Sequence, residues 1–365
     1  YYDYPVTHFL TGIQNQQVHF FTDLHPVCNE QEAEDYIARL WLVDDKFEQL
    51  QEGLQLRQES GVVLPQFLIR WITQDLKRFV QRPANQTPFY TSFEDKLNAR
   101  NDLDPTKRER LLTEAEKAVD GSVIPAYRGL LDFLEIQMRV ATRDAGVWKF
   151  PEGEAYYNYI LEHHTTTAMT PSEIHELGLR ELDRIQSEMR TRFAQLGYPE
   201  NESLSSSFAR VAEAGGRLYG EEIVSGYEAL IREAEIPLAE AFDLRPEADV
   251  IVVGGVSGGF YVAPALDGSR PGAFYASAVG STPRFSMPTL TYHEAVPGHH
   301  MQIAIAQELD LPAFRRGSHF TAYVEGWALY AERLAWELGL YEDDPYGDLG
   351  RLQAEAFRAA RLVVD

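Results

Sequence analysis

The chain has 365 residues, of which 44% are hydrophobic and 24% charged, an ordinary composition for a folded protein in water. Its formal net charge of −23 weighs against nucleic acid and anionic membranes as partners, because their phosphates would be repelled. No apolar run approaches the roughly 20 residues needed to cross a bilayer, and a single cysteine, Cys28, excludes an internal disulfide framework.

Residues 1–28 are aromatic and irregular, broken by Pro5 and Pro26, and read as a wrap around a helical body. Cys28 reads as a small buried hydrophobe rather than a nucleophile. Asn29 followed by Glu32 fits a helix N-cap with its reciprocal partner. The helix is expected to run to about Ser60, with Tyr36, Leu40, Trp41, Val43 and Phe47 on its apolar side. Pro65 opens another through Ile69, Ile72 and Leu76, and Asp104-Pro105 starts a further one. Residues 106–142 read as two antiparallel helices, and 152–163 as the next. Thr170-Pro-Ser-Glu173 forms a capping box with Pro at the first helical position and predicts a helix to about Leu196. Helices are expected over 204–214 and 218–234.

Residues 248–285 differ. Asp249-Val-Ile-Val-Val253 is β-branched, glycines come next, and Asp267-Gly268 is a turn signal, so a sheet of two or three strands is expected. An edge strand there would hold a substrate backbone by strand addition. Gly255-Val-Ser-Gly-Gly259 matches the nucleophile elbow G-x-S-x-G and raises a serine hydrolase using Ser257. The elbow needs a helix directly after its serine. The next residues, Phe260-Tyr-Val-Ala-Pro264, favour a strand instead, so this reading is set aside.

No repeat, low-complexity linker or boundary is visible. One mostly helical unit is expected: a helical body over 1–247, a small β element over 248–285 and site-bearing helices over 286–365. The segment 348–365 reads as a helix that stops without a cap or breaker, so the natural protein is expected to continue past it. The chain also begins at Tyr1 rather than Met, which leaves the compartment open between cytoplasmic and exported.

Chemistry concentrates in Thr289-Leu-Thr-Tyr-His-Glu-Ala-Val-Pro-Gly-His-His-Met-Gln302. Two imidazoles with an adjacent carboxylate are the parts of a hydrolytic zinc site, in which the glutamate takes a proton from the metal-bound water. The usual form is H-E-x-x-H on one helix, where both histidines share a face. Here Pro297 stands at the fifth position, and on an undisturbed helix His293 and His299 would lie well off one face. They share a metal only if Pro297 and Gly298 bulge or kink the helix. His300 is the alternative second ligand. A third ligand is offered by Tyr323-Val-Glu-Gly-Trp-Ala-Leu-Tyr-Ala-Glu332, where Glu325 and Glu332 lie two turns apart on one helix face. One of these carboxylates would bind metal and the other would orient a ligand histidine. Aromatic neighbours Tyr323, Trp327 and Tyr330 argue against a solvent face. His163 and His164, at a helix end, and His175, in a first helical turn, are read as bland; His319 has no partner pattern.

The run H-E-A-V-P-G-H-H-M-Q, preceded by D-G-S-R-P-G-A-F-Y and followed by Y-V-E-G-W-A-L-Y-A-E, resembles the bacterial domain-of-unknown-function family 885, a Glu-zincin-like branch of the zinc peptidases. His164 to Gly178 and Arg358 to Asp365 match its pattern as well. The resemblance implies a mainly α, zincin-like metallopeptidase fold with a small β-sheet beside the active-site helix. It implies one Zn²⁺ per chain on His293, His299 and Glu325, with Glu294 as general base. Tyr261, Tyr275, Tyr323 and Arg358 are weighed as donors to the oxyanion; Tyr261 and Arg358 are kept, since Tyr323 turns away from Glu325 on a helix. The expected activity is hydrolysis of a peptide or related amide. The alternatives are a catalytically inactive peptide-binding relative of the same fold and, ranked below it, the serine hydrolase using Ser257.

Overall fold

A computed structural model describes residues 4–8, 11–100, 102–255, 258–317 and 320–365. Ser257 and His319 lie outside the described residues. The protein is mainly helical with two small sheets, and it divides into two compact units, Tyr1–Tyr157 and Asn158–Asp365.

The first unit carries α1 (Ile13–His19), α2 (Glu30–Leu40), α3 (Val43–Glu59), α4 (Gln66–Val80), α5 (Pro88–Asn98), α6 (Pro105–Ala118) and α7 (Ile124–Gln137). Asn29 caps α2 by accepting from the Glu32 amide at 2.9 Å. Glu32 reaches back to the Cys28 amide at 2.6 Å, on a cysteine that is exposed rather than buried. The single helix expected to Ser60 is two helices, because the chain breaks at Trp41 and Leu42. Trp41 is 46% exposed, off the apolar side assigned to it.

Over 106–142 the expected antiparallel pair is one run. A π-helical turn, Val119–Val123, joins α6 to α7, and the backbone stays right-handed helical at both junctions. The turn gives Ser122 to the break between α2 and α3: its hydroxyl donates to the Leu40 carbonyl at 3.0 Å and accepts from the Asp44 amide at 3.2 Å. Helix α5, opened by Pro88, was not anticipated. The core of this unit is apolar and aromatic, with Tyr36, Phe47, Ile69, Phe93 and Leu130 fully buried.

The division between the units falls inside α8 (Gly153–Thr165), which explains why no linker composition marks it. The second unit continues with α9 (Pro171–Gln195), α10 (Leu204–Ala214), β1 (Arg217–Tyr219) and α11 (Glu221–Ala241). The capping box at Thr170 and Glu173 is present. The helix expected from residue 218 starts later and runs longer, because its first residues pair as a strand.

Next come β2 (Val250–Gly255), β3 (Phe260–Val262), β4 (Gly272–Ser277) and β5 (Ser281–Pro283). Strand β4 is central, with β2 parallel on one side and β3 antiparallel on the other; β5 pairs with β1. The chain then enters α12 (Met287–Glu294), α13 (His299–Glu308), α14 (Ala313–Gly317), α15 (Thr321–Glu337) and α16 (Pro345–Val364).

Helix α12 is the centre of this unit. It packs against α11, α15 and α16, and nearly every residue of it is buried. A helix apolar on one face only could not sit there, and the polar residues it carries must find partners inside the protein. Helix α16 lies along α9, held by Arg351. Arg351 is 1% exposed and lies 3.5 Å from Glu188 of α9; it also pairs with Asp348 of its own helix at 2.7 Å, and Asp348 meets Arg192 of α9 at 3.0 Å.

Candidate metal centre

His293 sits in the last turn of α12 and His299 is the first residue of α13. They do not share one bulged helix. Ala295, Val296, Pro297 and Gly298 turn the chain between two helices, with a cis bond before Pro297. A Cβ on Gly298 would lie 1.9 Å from the His293 carbonyl oxygen, so only glycine permits this approach. The Trp327 indole donates to the Pro297 carbonyl at 2.8 Å and ties the turn to α15.

The turn brings the two imidazoles together, ring centroids 4.7 Å apart. Glu325 on α15 completes the group: its carboxylate oxygens lie 3.7 Å from His293 Nε2 and 3.8 Å from His299 Nε2. One donor atom from each of the three falls within 4.8 Å of the others. Donors at about 2.0–2.2 Å around a tetrahedral zinc are spaced roughly 3.3–3.6 Å apart, and the two distances from Glu325 lie just above that range. Two nitrogens and one carboxylate oxygen are also the donor chemistry zinc takes in sites that leave a position open.

Behind the cluster, the Glu332 carboxylate is 2% exposed and fully engaged. It accepts from His293 Nδ1 at 2.8 Å, from the Thr289 hydroxyl and from Arg358 Nη2 at 2.8 Å. The Nδ1–H bond fixes the His293 tautomer and leaves Nε2 aimed at Glu325. Of the two carboxylates on α15, Glu325 therefore faces the cluster and Glu332 orients its histidine.

Charge follows this geometry. Burial pulls the His293 imidazole down, but its bonds to Glu325 and Glu332 outweigh burial and raise it to about 9. Burial and the neighbouring His293 hold His299 down at about 4, a neutral imidazole with a lone pair to give. Glu325 is lowered, chiefly by its bond to His293. Glu294 is 5% exposed, and burial pushes its carboxyl up to about 7.

The cleft over the cluster is lined by Tyr261, Glu294, Leu290, Ile303 and Arg358 among others. Glu325 is not buried among its aromatic neighbours as the sequence suggested. Its side chain is 59% exposed where α15 borders the cleft, and Tyr323, which does not line the cleft, is exposed as well.

His300, the alternative ligand, points elsewhere. Its Nδ1 lies 2.9 Å from the Tyr261 hydroxyl, it bonds the Ala248 backbone, and burial holds it at about 4. Tyr261 thus reaches the cleft wall with its hydroxyl held by His300. Tyr275 stacks on Phe260 with centroids 4.8 Å apart. His164 and His175 contact Thr321 and the Val363 carbonyl, and neither joins the cluster.

Fold and site together define a mainly helical protein whose buried central helix brings His293 to a cluster completed by His299 of α13 and Glu325 of α15. The chain belongs to the family described as bacterial protein of unknown function (DUF885), which matches it over residues 1–365. A crystal structure of a candidate lipoprotein from Colwellia psychrerythraea is 34% identical and superposes with a TM-score of 0.89. That similarity covers 94% of this chain and 61% of the other. A candidate lipoprotein of unknown function from Shewanella oneidensis shares the fold at 15% identity and a TM-score of 0.58, over 96% of this chain and 64% of that one. The chain therefore spans less than two thirds of the length of either. No curated protein matches it.

Proposed function

We propose that the protein is a zinc-dependent hydrolase of peptide or related amide bonds, built on a zincin-like arrangement of helices. The observation that carries this is the convergence of His293, His299 and Glu325 beside the buried Glu294. Bound there, zinc would supply Lewis-acid polarisation of a water and of the substrate carbonyl.

The chain's own residues supply the rest. Glu294, poised at about 7, accepts a proton from the attacking water and returns it to the leaving amine. Glu332 holds His293 in the tautomer that leaves Nε2 free to ligate. Arg358 sets both terminal nitrogens against Glu332, at 2.8 and 3.4 Å, and borders the cleft, where its remaining N–H groups would meet the oxyanion. Tyr261 can donate to that oxyanion only by releasing His300, so Arg358 is the stronger of the two assignments. Edge strand β3, whose Phe260 and Tyr261 border the cleft, offers backbone to an extended peptide.

Among the described residues no helix is long and apolar enough to cross a membrane. The two lipoprotein-like relatives support a place outside the cytoplasm, which fractionation of the native host would check.

The test is metal analysis of purified wild type beside His293→Ala. About one zinc per chain, lost in the variant, is expected from a single three-ligand site. No metal in either after incubation with zinc would remove the hydrolase reading in favour of a peptide-binding relative without turnover.

A further inference from the structure

Beside the metal cleft lies a second hollow of about 550 Å³. The two share Gly259, Leu290, Ala354, Phe357 and Arg358 along their borders, so one opens into the other. Tyr227 walls the hollow from α11, Ser277 and Thr282 from β4 and β5, and Gln353 from α16.

This wall carries little charge. Its hydroxyls are partly turned into the protein: Thr289 donates to Glu332 and Ser286 to the Pro283 carbonyl at 2.9 Å. Burial pushes the Tyr227 hydroxyl up to about 12, so it stays neutral. Among the described residues of the wall the one ionic group is Arg358, at the shared border, and Glu332 holds it at 2.8 Å. A charged side chain entering here would leave water, with no anion to meet a cationic one and with the cation Arg358 already paired to Glu332. An apolar one would cover Leu290 and Phe357 and be favoured by the surface it removes from water. The space admits the largest aromatic side chains.

We propose that this hollow receives an uncharged aliphatic or aromatic side chain of a peptide lying across the His293, His299 and Glu325 cluster, with Gln353 setting the size and charge accepted. The inference rests on the hydrolytic reading of the site. Gln353 is suited to the test. It is exposed on α16, lines the hollow but not the metal cleft, and belongs to neither the ligands nor their supports. Substitution there leaves the packed faces of the helix alone.

The experiment offers a peptide library, randomised at every position, to the full-length protein and to Gln353→Glu and Gln353→Trp. Cleavage products are sequenced. In parallel, peptides retained on Glu294→Gln protein carrying the same Gln353 variants are sequenced, which does not require turnover. Wild type is expected to favour uncharged over acidic residues at one position flanking the bond. Gln353→Glu is expected to raise acceptance of Lys and Arg there about tenfold, and Gln353→Trp to exclude Phe, Tyr and Trp while keeping Ala, within the range a pocket contact controls. An unchanged profile in both variants, with helical content intact, overturns the proposal. Shifted retention without any cleavage keeps the pocket and removes the hydrolase reading. Neither cleavage nor retention overturns both.

Discussion

Glu294 is a carboxylate kept where water cannot solvate it, 5% exposed at the end of a buried helix. Its carboxyl, raised from 4.5 to about 7, is held protonated more tightly by the metal-free fold than by the unfolded chain. Its contribution is therefore fully present below pH 4.5 and is lost as the pH rises through 7, by up to about 3 kcal/mol. Glu294→Gln removes that penalty. Metal-free Glu294→Gln should resist urea better than wild type at pH 8.5 and match it near pH 4, while retaining zinc and losing turnover. A variant no more stable at pH 8.5 would show that the carboxyl is better solvated than its burial implies.

In the proposed site Glu332 has the opposite part, holding His293 rather than taking a proton. Glu332→Gln weakens the brace on His293 and should lower zinc affinity by about 10- to 100-fold, read by competition with a chelating dye. Glu325 and Glu332, the two carboxylates of α15, were both legible in the sequence. What separated them was tertiary: one end of α15 borders the cleft and the other is buried against α12.

At the scale of elements, the joint between α12 and α13 decides whether a metal site exists. Pro297 and Gly298 signalled a distortion, but a bulge within one helix and a turn between two carry the same residues. The packing settles it. Gly298 lies against the carbonyls of Tyr292 and His293, where a Cβ would come within 2.4 Å and 1.9 Å. Gly298→Ala should force the joint apart, destabilise the fold by about 3 kcal/mol or more and lose zinc. Denaturant unfolding and metal analysis of the same sample read both effects.

In the first unit, Ser122 bridges the break between α2 and α3. Removing its hydroxyl leaves the Leu40 carbonyl without that partner, so Ser122→Ala should cost about 1–3 kcal/mol. The break was hidden in the sequence because Leu40, Trp41 and Val43 continue the apolar pattern of one helix. The π-turn that supplies Ser122 was hidden too, since the backbone stays helical where it enters and leaves the turn.

On the scale of the whole molecule, every proposed ligand lies in the second unit, Asn158–Asp365. Zinc should therefore slow hydrogen exchange in α12, α13 and α15 and leave α2 to α7 unchanged. Ligation requires His293 to lose a proton it holds up to about pH 9. Zinc affinity should accordingly climb by as much as tenfold per pH unit as the pH rises from 6.5 towards 9, a slope that titration calorimetry at several pH values would measure.

The sequence by itself determined the helical character, the capped starts at Asn29, Asp104 and Thr170, the small sheet and the residues of the proposed metal site. These depend on local spacing and on short-range hydrogen bonds, which a linear pattern records. Only the tertiary structure decided that His299 and not His300 faces His293, that Glu325 faces the cleft while Glu332 braces His293, and that a side hollow opens beside the cluster. Each of these depends on which helices pack around α12, and packing partners distant in the chain leave no trace in the periodicity of either segment.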